Sequence, residues 1–439
     1  MKRYLSIFLL CILGLVTGCD ETIYIPPALE EPPVEKPDEP QEPEPEPEPV
    51  IPYSIPVVKI TTEDGAKIES KENYVKGTIR IEDPSKHFSD VDVFEASMRI
   101  RGRGNSTWGM PKKPYRIKLD ENASIFGLAP EKDWVLLANY SDKTLLRNSV
   151  AMELSRICGM KWTPTLISVE VYLNDEYIGV YSFTEHKEVA EGRVEIDVIG
   201  ENDNGGEALT GGYYLEIEEA MDETTCFKSR FDTPVMFQEP EVPTPQQLAY
   251  VKDLIDRFEL AVEDIQNKRD YIRYRELFDV PSLINYYIIK EIAKDPDGNI
   301  RKSTFITKEK SRKMEMYHVW DFDITMGNCN YTNFEKPEGW QIKGAKWYNK
   351  MFQDPSFVKE VQDRWNELYP QIKEIPEFLA QQIELLDGAQ DRNFERWDIL
   401  GIYVWPNAVW LGSYEAEVEF FLDFYNRRIE WLDKNINAL

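Results

Sequence analysis

The sequence predicts an α+β protein with a β-rich first half and a mainly helical second half, forming one unit of two lobes. Three observations carry that prediction. Alternating apolar and polar stretches punctuated by turn residues recur from Pro56 to Ile217. Helix-period patterns take over beyond Pro245. A proline- and glutamate-rich stretch precedes both and sets them apart from the N-terminus. The boundaries read from this are a signal segment at 1–18, a tether at 19–52 and a globular part at 53–439, with an N-lobe of about 53–200 and a C-lobe of about 205–439. With 439 residues and 42% hydrophobic content, the chain can bury a large core.

Met1-Lys2-Arg3 and the apolar run Tyr4 to Val16 form a signal peptide too short to span a membrane. It ends in Val16-Thr17-Gly18-Cys19, which resembles a lipobox. Lipidation of Cys19 would anchor the chain outside the cytoplasm, and the acidic Asp20-Glu21 resembles export signals for the outer surface. From Pro26 to Pro52 the chain is mostly proline and glutamate, a composition that buries nothing and favours extended polyproline II.

The net charge of −28 argues against nucleic acid as a partner, because a phosphate-binding surface needs a basic excess. A nucleotide site needs only a local cluster of cations. Cys158, Cys226 and Cys329 show no paired metal-type spacing, so buried free thiols are expected. Three scattered histidines, His87, His186 and His318, leave little material for a histidine metal centre or a triad.

In chain order, Pro56 to Ile60 and Tyr74 to Ile81 alternate as strands. Met98 and Ile100 face one way, and Arg99, Arg101 and Arg103 the other; Tyr115, Ile117 and Leu119 oppose Arg116 and Lys118 likewise. Paired as a hairpin, these strands gather cations beside the loop Gly102-Arg103-Gly104-Asn105-Ser106. There, backbone amides could approach phosphates and Lys113 or Lys118 could reach them. A solvated basic face with a glycine turn is the plainer alternative. A helix should run from Ser141 or Asp142 to Cys158, with core face Leu146, Val150, Leu154 and Ile157 and a stop at Gly159. Its Glu153 either answers a sheet lysine or is simply solvated.

Thr165–Leu173 and Tyr177–Phe183 make a hairpin leading into Thr184-Glu185-His186-Lys187, a connector where a base could be gripped. Gly211 to Ile217 is a further strand. Helices follow at Gln246–Glu263, at Leu283–Ile292, and at Phe357–Leu368, Pro376–Leu386 and Glu415–Asn435. The aromatic stretch Tyr403 to Trp410 reads first as core; a sugar-stacking surface is the other reading.

Chemistry concentrates in Lys294-Asp295-Pro296-Asp297-Gly298 and Val319-Trp320-Asp321-Phe322-Asp323. Acidic side chains end an apolar helix and again end the next strand, with room between them for only a loop and a hairpin. Two such sites can converge, one orienting a hydroxyl and the other holding a divalent cation. Asp297-Gly298 as an ordinary turn and Asp321 as a cap of backbone amides are the competing readings.

With these residues in view, the order of glycine loop, basic strand, helix, hairpin, buried helix ending in Asp and strand ending in Asp-aromatic-Asp resembles the protein-kinase plan. The motifs Arg103-Gly104-Asn105-Ser106, Lys112 to Lys118, Ser141 to Asn148, Tyr172-Leu173-Asn174, Gly179-Val180-Tyr181, Glu185, Gly211-Gly212-Tyr213 and Trp320 to Gly327 resemble those of the spore-coat protein H (CotH) kinase family.

The resemblance implies a two-lobed atypical protein-kinase-like fold using ATP and magnesium to phosphorylate Ser or Thr of a surface or secreted protein. Under it, Asp297 is the catalytic aspartate and Asp321 the magnesium ligand. Asp323 and Ser303 are further metal candidates. Gly102, Gly104, Asn105, Ser106, Lys113, Lys118, Glu153 and Glu185 would serve nucleotide binding. Two departures bear on catalysis: Asp295-Pro296-Asp297 where many members carry Asn-x-Asp, and Ser303 where an asparagine often completes metal binding. A pseudokinase-like surface scaffold is the alternative function.

Overall fold

The computed structural model describes residues 53–88, 93–223 and 225–439. The signal segment, Cys19 and the Pro/Glu tether lie outside them. The described part is α+β, with a large β-rich region and helices in its C-terminal part. Among the described residues no helix is long and apolar enough to cross a membrane.

Seven strands close into a barrel in the order β1-β2-β3-β4-β5-β7-β6. They are β1 Val57–Thr62, β2 Val75–Glu82, β3 Val93–Gly102, β4 Tyr115–Ala123, β5 Glu131–Leu137, β6 Ile167–Leu173 and β7 Glu176–Glu185. The expected hairpin of β3 and β4 forms, with Met98 opposite Leu119, Ile100 opposite Ile117 and Gly102 opposite Tyr115. Its inward side chains join a barrel core with Trp134, Val169 and Phe183. Closure comes from a parallel pairing of β1 with β6, which joins segments over a hundred residues apart and leaves no local pattern in sequence.

Between β5 and β6 runs α1, Arg147–Cys158. It begins later than expected, because Ser141 to Thr144 form a turn stapled by Asp142 rather than a first helical turn. Asp142 Oδ1 accepts from the Thr144 amide at 3.1 Å and the Thr144 hydroxyl at 2.7 Å, and its Oδ2 accepts from the Arg147 amide at 2.8 Å. The stop at Gly159 is left-handed, with φ +71. Leu146, Val150 and Leu154 are buried, whereas Ile157 is only half-buried.

The second sheet has the order β12-β11-β8-β10-β9. Its strands are β8 Tyr213–Ile217, β9 Cys226–Lys228, β10 Pro234–Glu239, β11 Thr304–Lys308 and β12 Met314–Met316. The strand expected to run to Trp320 therefore ends at Met316, and irregular chain carries the last steps to Asp321. Around this sheet lie α2 Pro245–Lys268, α3 Arg273–Leu277, α4 Val280–Ala293, α5 Tyr348–Met351, α6 Pro355–Ile372, α7 Ile375–Leu385, α8 Ala389–Arg396 and α9 Tyr414–Ile436.

Thr244 opens α2 with a capping box through Gln247, and Asp279 caps α4 by accepting from the Ser282 amide at 2.9 Å. α4 is buried almost all round, as its apolar composition requires. The thiols of Cys158, Cys226 and Cys329 are free; Cys158 and Cys329 are buried and Cys226 half-buried. The aromatic stretch after α8 departs from its core expectation. Tyr403, Trp405 and Trp410 are 44%, 48% and 47% exposed.

Candidate active site

α4 ends at Ala293, and Lys294 turns the chain through a left-handed conformation with φ +48. The Lys294 ammonium then donates to three backbone carbonyls, Asn333 at 3.0 Å, Lys336 at 2.6 Å and Glu338 at 2.8 Å. This fixes the start of the loop that carries Asp297. Asp295, 1% exposed, turns inward against the equally buried Lys290 at 2.6 Å. Its other oxygen accepts from the Asp297 amide at 2.9 Å. Asp297 itself faces outward, and Lys302 reaches its Oδ1 at 3.2 Å. Burial raises the Asp297 carboxyl above its usual range, Asp295 adds to that, and Lys302 opposes it.

The second acidic segment leaves β12 through Tyr317 to Trp320. Asp321 holds an unusual φ of +70, a strained conformation for a residue with a side chain. Solvent reaches it through the cleft while protein surrounds it elsewhere. That desolvation raises its carboxyl, with Arg103 opposing and Asp297 and Asp295 reinforcing. Asp323 accepts from the Ser141 hydroxyl at 3.0 Å and is pushed up to about 7, first by burial and then by Asp321.

Both segments open onto one cleft of about 620 Å³, which Arg103, Gly104, Asn105 and Ser106 also line. Gly104 has φ +82, and a Cβ there would fall 2.3 Å from the Thr107 hydroxyl, so the loop requires glycine. Ser303 lines the same cleft, its amide donating to Glu218 at 3.3 Å.

The other sequence candidates lie elsewhere. Gly102 is covered by the Trp108 ring, which a Cβ would strike at 2.3 Å. Lys113 donates to the Trp108 carbonyl at 2.6 Å, and Lys118 pairs with Asp133 at 2.9 Å. Neither lysine lines the cleft: the turn before β4 supplies an acceptor for Lys113, and β5 supplies one for Lys118. Glu153 pairs with Arg156 at 3.2 Å, one turn along α1, instead of answering a sheet lysine. Glu185 is buried and accepts from the Thr165 amide at 2.8 Å, tying the ends of the β6–β7 hairpin together.

The cations that do line the cleft are Arg103, Lys187 and Lys302. Lys187 follows β7, pairs with Glu216 and lies 4.5 Å from the Phe305 ring centroid. Sequence reasoning placed it only in a connector. Nothing local marks it, since its acidic partner arrives from β8.

The donor set suits a hard cation. Asp321 and Asp323 crowd two carboxylates together with raised proton affinity, and carboxylate oxygens are what magnesium takes. Among the described residues no group of three or more His, Cys, Asp or Glu side chains could hold a metal ion. Magnesium commonly uses one or two carboxylates and completes its shell with phosphate oxygens and water, so two carboxylates fit it only alongside a phosphorylated ligand.

No curated protein matches the chain. The family model described as CotH kinase protein matches residues 100–432, which takes in the glycine loop, both acidic segments and most of α9. On that match, the chain belongs to the CotH kinase family.

Proposed function

We propose that this chain is an extracytoplasmic, lipid-anchored protein kinase that uses ATP and magnesium to phosphorylate Ser or Thr of a surface or secreted protein. The barrel and the sheet-and-helix part act as the two lobes of a kinase-like fold, and Cys19 is the anchor. One observation supports this reading above the others: Asp297, Asp321, Asp323 and the loop Arg103 to Ser106 line a single cleft.

Bound magnesium would neutralise charge on the phosphates. The protein's own part is positioning and electrostatics. Asp321 and Asp323 would hold the metal, while Gly104 and its neighbours let the loop backbone approach the phosphates. Arg103 and Lys187 take the phosphate-facing role that the sequence assigned to Lys113 or Lys118. Asp297 orients the acceptor hydroxyl and receives its proton as the oxygen–phosphorus bond forms and the bond to the departing diphosphate breaks. Lys302, on Asp297, keeps that carboxyl from rising further.

The test is transfer of labelled γ-phosphate from ATP to serine-containing protein, with Asp297→Asn and Asp321→Asn alongside. Transfer by the parent chain, reduced by about a hundredfold or more in each variant, is the expected result. A second reading, the pseudokinase-like scaffold, rests on Ser303, a weaker metal ligand than asparagine, in the cleft wall. It predicts magnesium-dependent nucleotide binding without transfer. Absence of both binding and transfer refutes the two readings together.

A further inference from the structure

We infer that Lys290 is a positioning residue that locks the two acidic segments of the cleft to one another, an assignment that rests on the phosphotransfer reading above. Lys290 sits in the last turn of α4, 1% exposed, and is not among the residues lining the cleft. Its ammonium does three things at once. It pairs with Asp295 Oδ2 at 2.6 Å, donates to the Trp320 carbonyl at 3.4 Å and lies 4.2 Å from the Phe322 ring centroid.

Trp320 and Phe322 are the two residues flanking Asp321. Asp295 is the residue whose free oxygen accepts from the Asp297 amide. One buried cation thus touches both sides of the proposed metal aspartate, and it touches the carboxylate that holds the backbone of the proposed catalytic one.

Stability alone gives no reason for such a group. Burying an ammonium and a carboxylate costs desolvation that their attraction only roughly repays, and a well-packed apolar pair of similar volume is commonly as stable. Burial works against the Lys290 charge, yet Asp295, Tyr286 and Asp321 together keep the ammonium above its ordinary range, so it is a cation in the fold. What an apolar pair cannot supply is direction. Asp321 sits at φ +70, a conformation that its surroundings must enforce. From the other side, the Phe322 amide is held by Asn148 Oδ1 at 2.8 Å. Lys290 holds the near side and refers it to the Asp297 loop. The distance between proton acceptor and metal ligand is then set by one side chain and does not depend on two loops settling independently.

Two variants test this in the full chain. Lys290→Met leaves Asp295 charged and unpartnered, so it is expected to be unstable. Lys290→Met/Asp295→Asn removes both charges and retains an oxygen for the Asp297 amide. In the double variant, amide hydrogen exchange should accelerate by about tenfold or more in 295–299 and 319–323 together, while α4 keeps its protection. Turnover should fall by about a hundredfold and KM for magnesium–ATP should rise by much less, since loosening Asp297 costs rate alone while loosening Asp321 also reaches the bound metal. Exchange that rises in only one segment, or parental exchange and turnover in the double variant, overturns the assignment. A parent chain that transfers no phosphate sinks the phosphotransfer reading alone, and the exchange measurement still decides the coupling.

Discussion

Arg428 on α9 offers the sharpest test of how the cleft is supported. Its guanidinium is fully buried and donates to the Glu291 carbonyl at 2.6 Å, to Glu291 Oε1 at 2.6 Å and to the Pro337 and Gly339 carbonyls at 2.7 Å each. Arg428→Met leaves the Glu291 carboxylate buried with two donors, the amides of Gln341 and Lys343 at 2.8 Å each. Breaking a buried pair in this way costs about 3–5 kcal/mol. The surviving amides place Glu291 near the low end, and the stranded carbonyls add about 1 kcal/mol more. The expected loss is therefore about 4 kcal/mol. With a urea m-value of about 3 kcal/mol/M, the unfolding midpoint falls by roughly 1 M. Urea titrations followed by tryptophan fluorescence and circular dichroism measure it. Arg428→Met/Glu291→Gln should recover at least half the loss, because the orphan charge is gone. A single variant within about 1 kcal/mol of the parent would refute the reasoning.

Two further predictions concern the barrel side. Gly104→Ala places a Cβ against Thr107 at φ +82, a strain of about 1–2 kcal/mol, and should weaken magnesium–ATP binding about tenfold. Gly109→Ala meets nothing within 4 Å and should leave binding as it was; equal titration curves for the two would remove the loop from the site. Lys112 is buried with no carboxylate partner among the described residues. Its ammonium donates to Asn393 Oδ1 at 2.9 Å and to the Val180 carbonyl, and burial holds its pKa well below 10.5. The unfolded chain binds the extra proton in that window, so stability should rise with pH from the depressed folded value up to 10.5. Denaturation of Lys112→Met across the same range should show a flatter profile, and identical slopes would refute it.

Much of this was legible in the sequence where local pattern decides structure. The β3–β4 hairpin, the burial of α4 and the stop at Gly159 follow from alternation, from apolar composition and from the left-handed turn a glycine takes. The two acidic segments were legible because each follows a regular element, although β12 stops at Met316 and irregular chain carries on to Asp321. What the sequence hid is long-range. The β1–β6 closure joins strands that carry no mutual signal, and Lys187 becomes a cleft residue only because Glu216 meets it from another sheet. Lys113 and Lys118 were misplaced because a basic alternation shows which side of a strand a lysine takes, but not that Trp108 and Asp133 are already there. Trp405 and Trp410 misled by composition, since aromatic rings at an irregular turn stay exposed when no helix or strand packs over them.

The Asp295 departure also has a structural reading. Where the resemblance leads one to expect an asparagine, as many members carry, this chain has a carboxylate, which taken alone would add repulsion beside Asp297. The last turn of α4 answers it: Lys290 neutralises Asp295, Arg428 neutralises Glu291, and Lys294 is tied to three carbonyls. Cations also suit this end of the helix, where the backbone carbonyls are unpaired and the dipole is negative. Lys290, Glu291 and Lys294 are all turned inward, so the helix end is held from the segment 320–322 beyond β12, from α9 and from the loop at 333–338. A carboxylate presented from such an end needs little reorganisation when charge develops nearby, and low reorganisation is where electrostatic catalysis gains most.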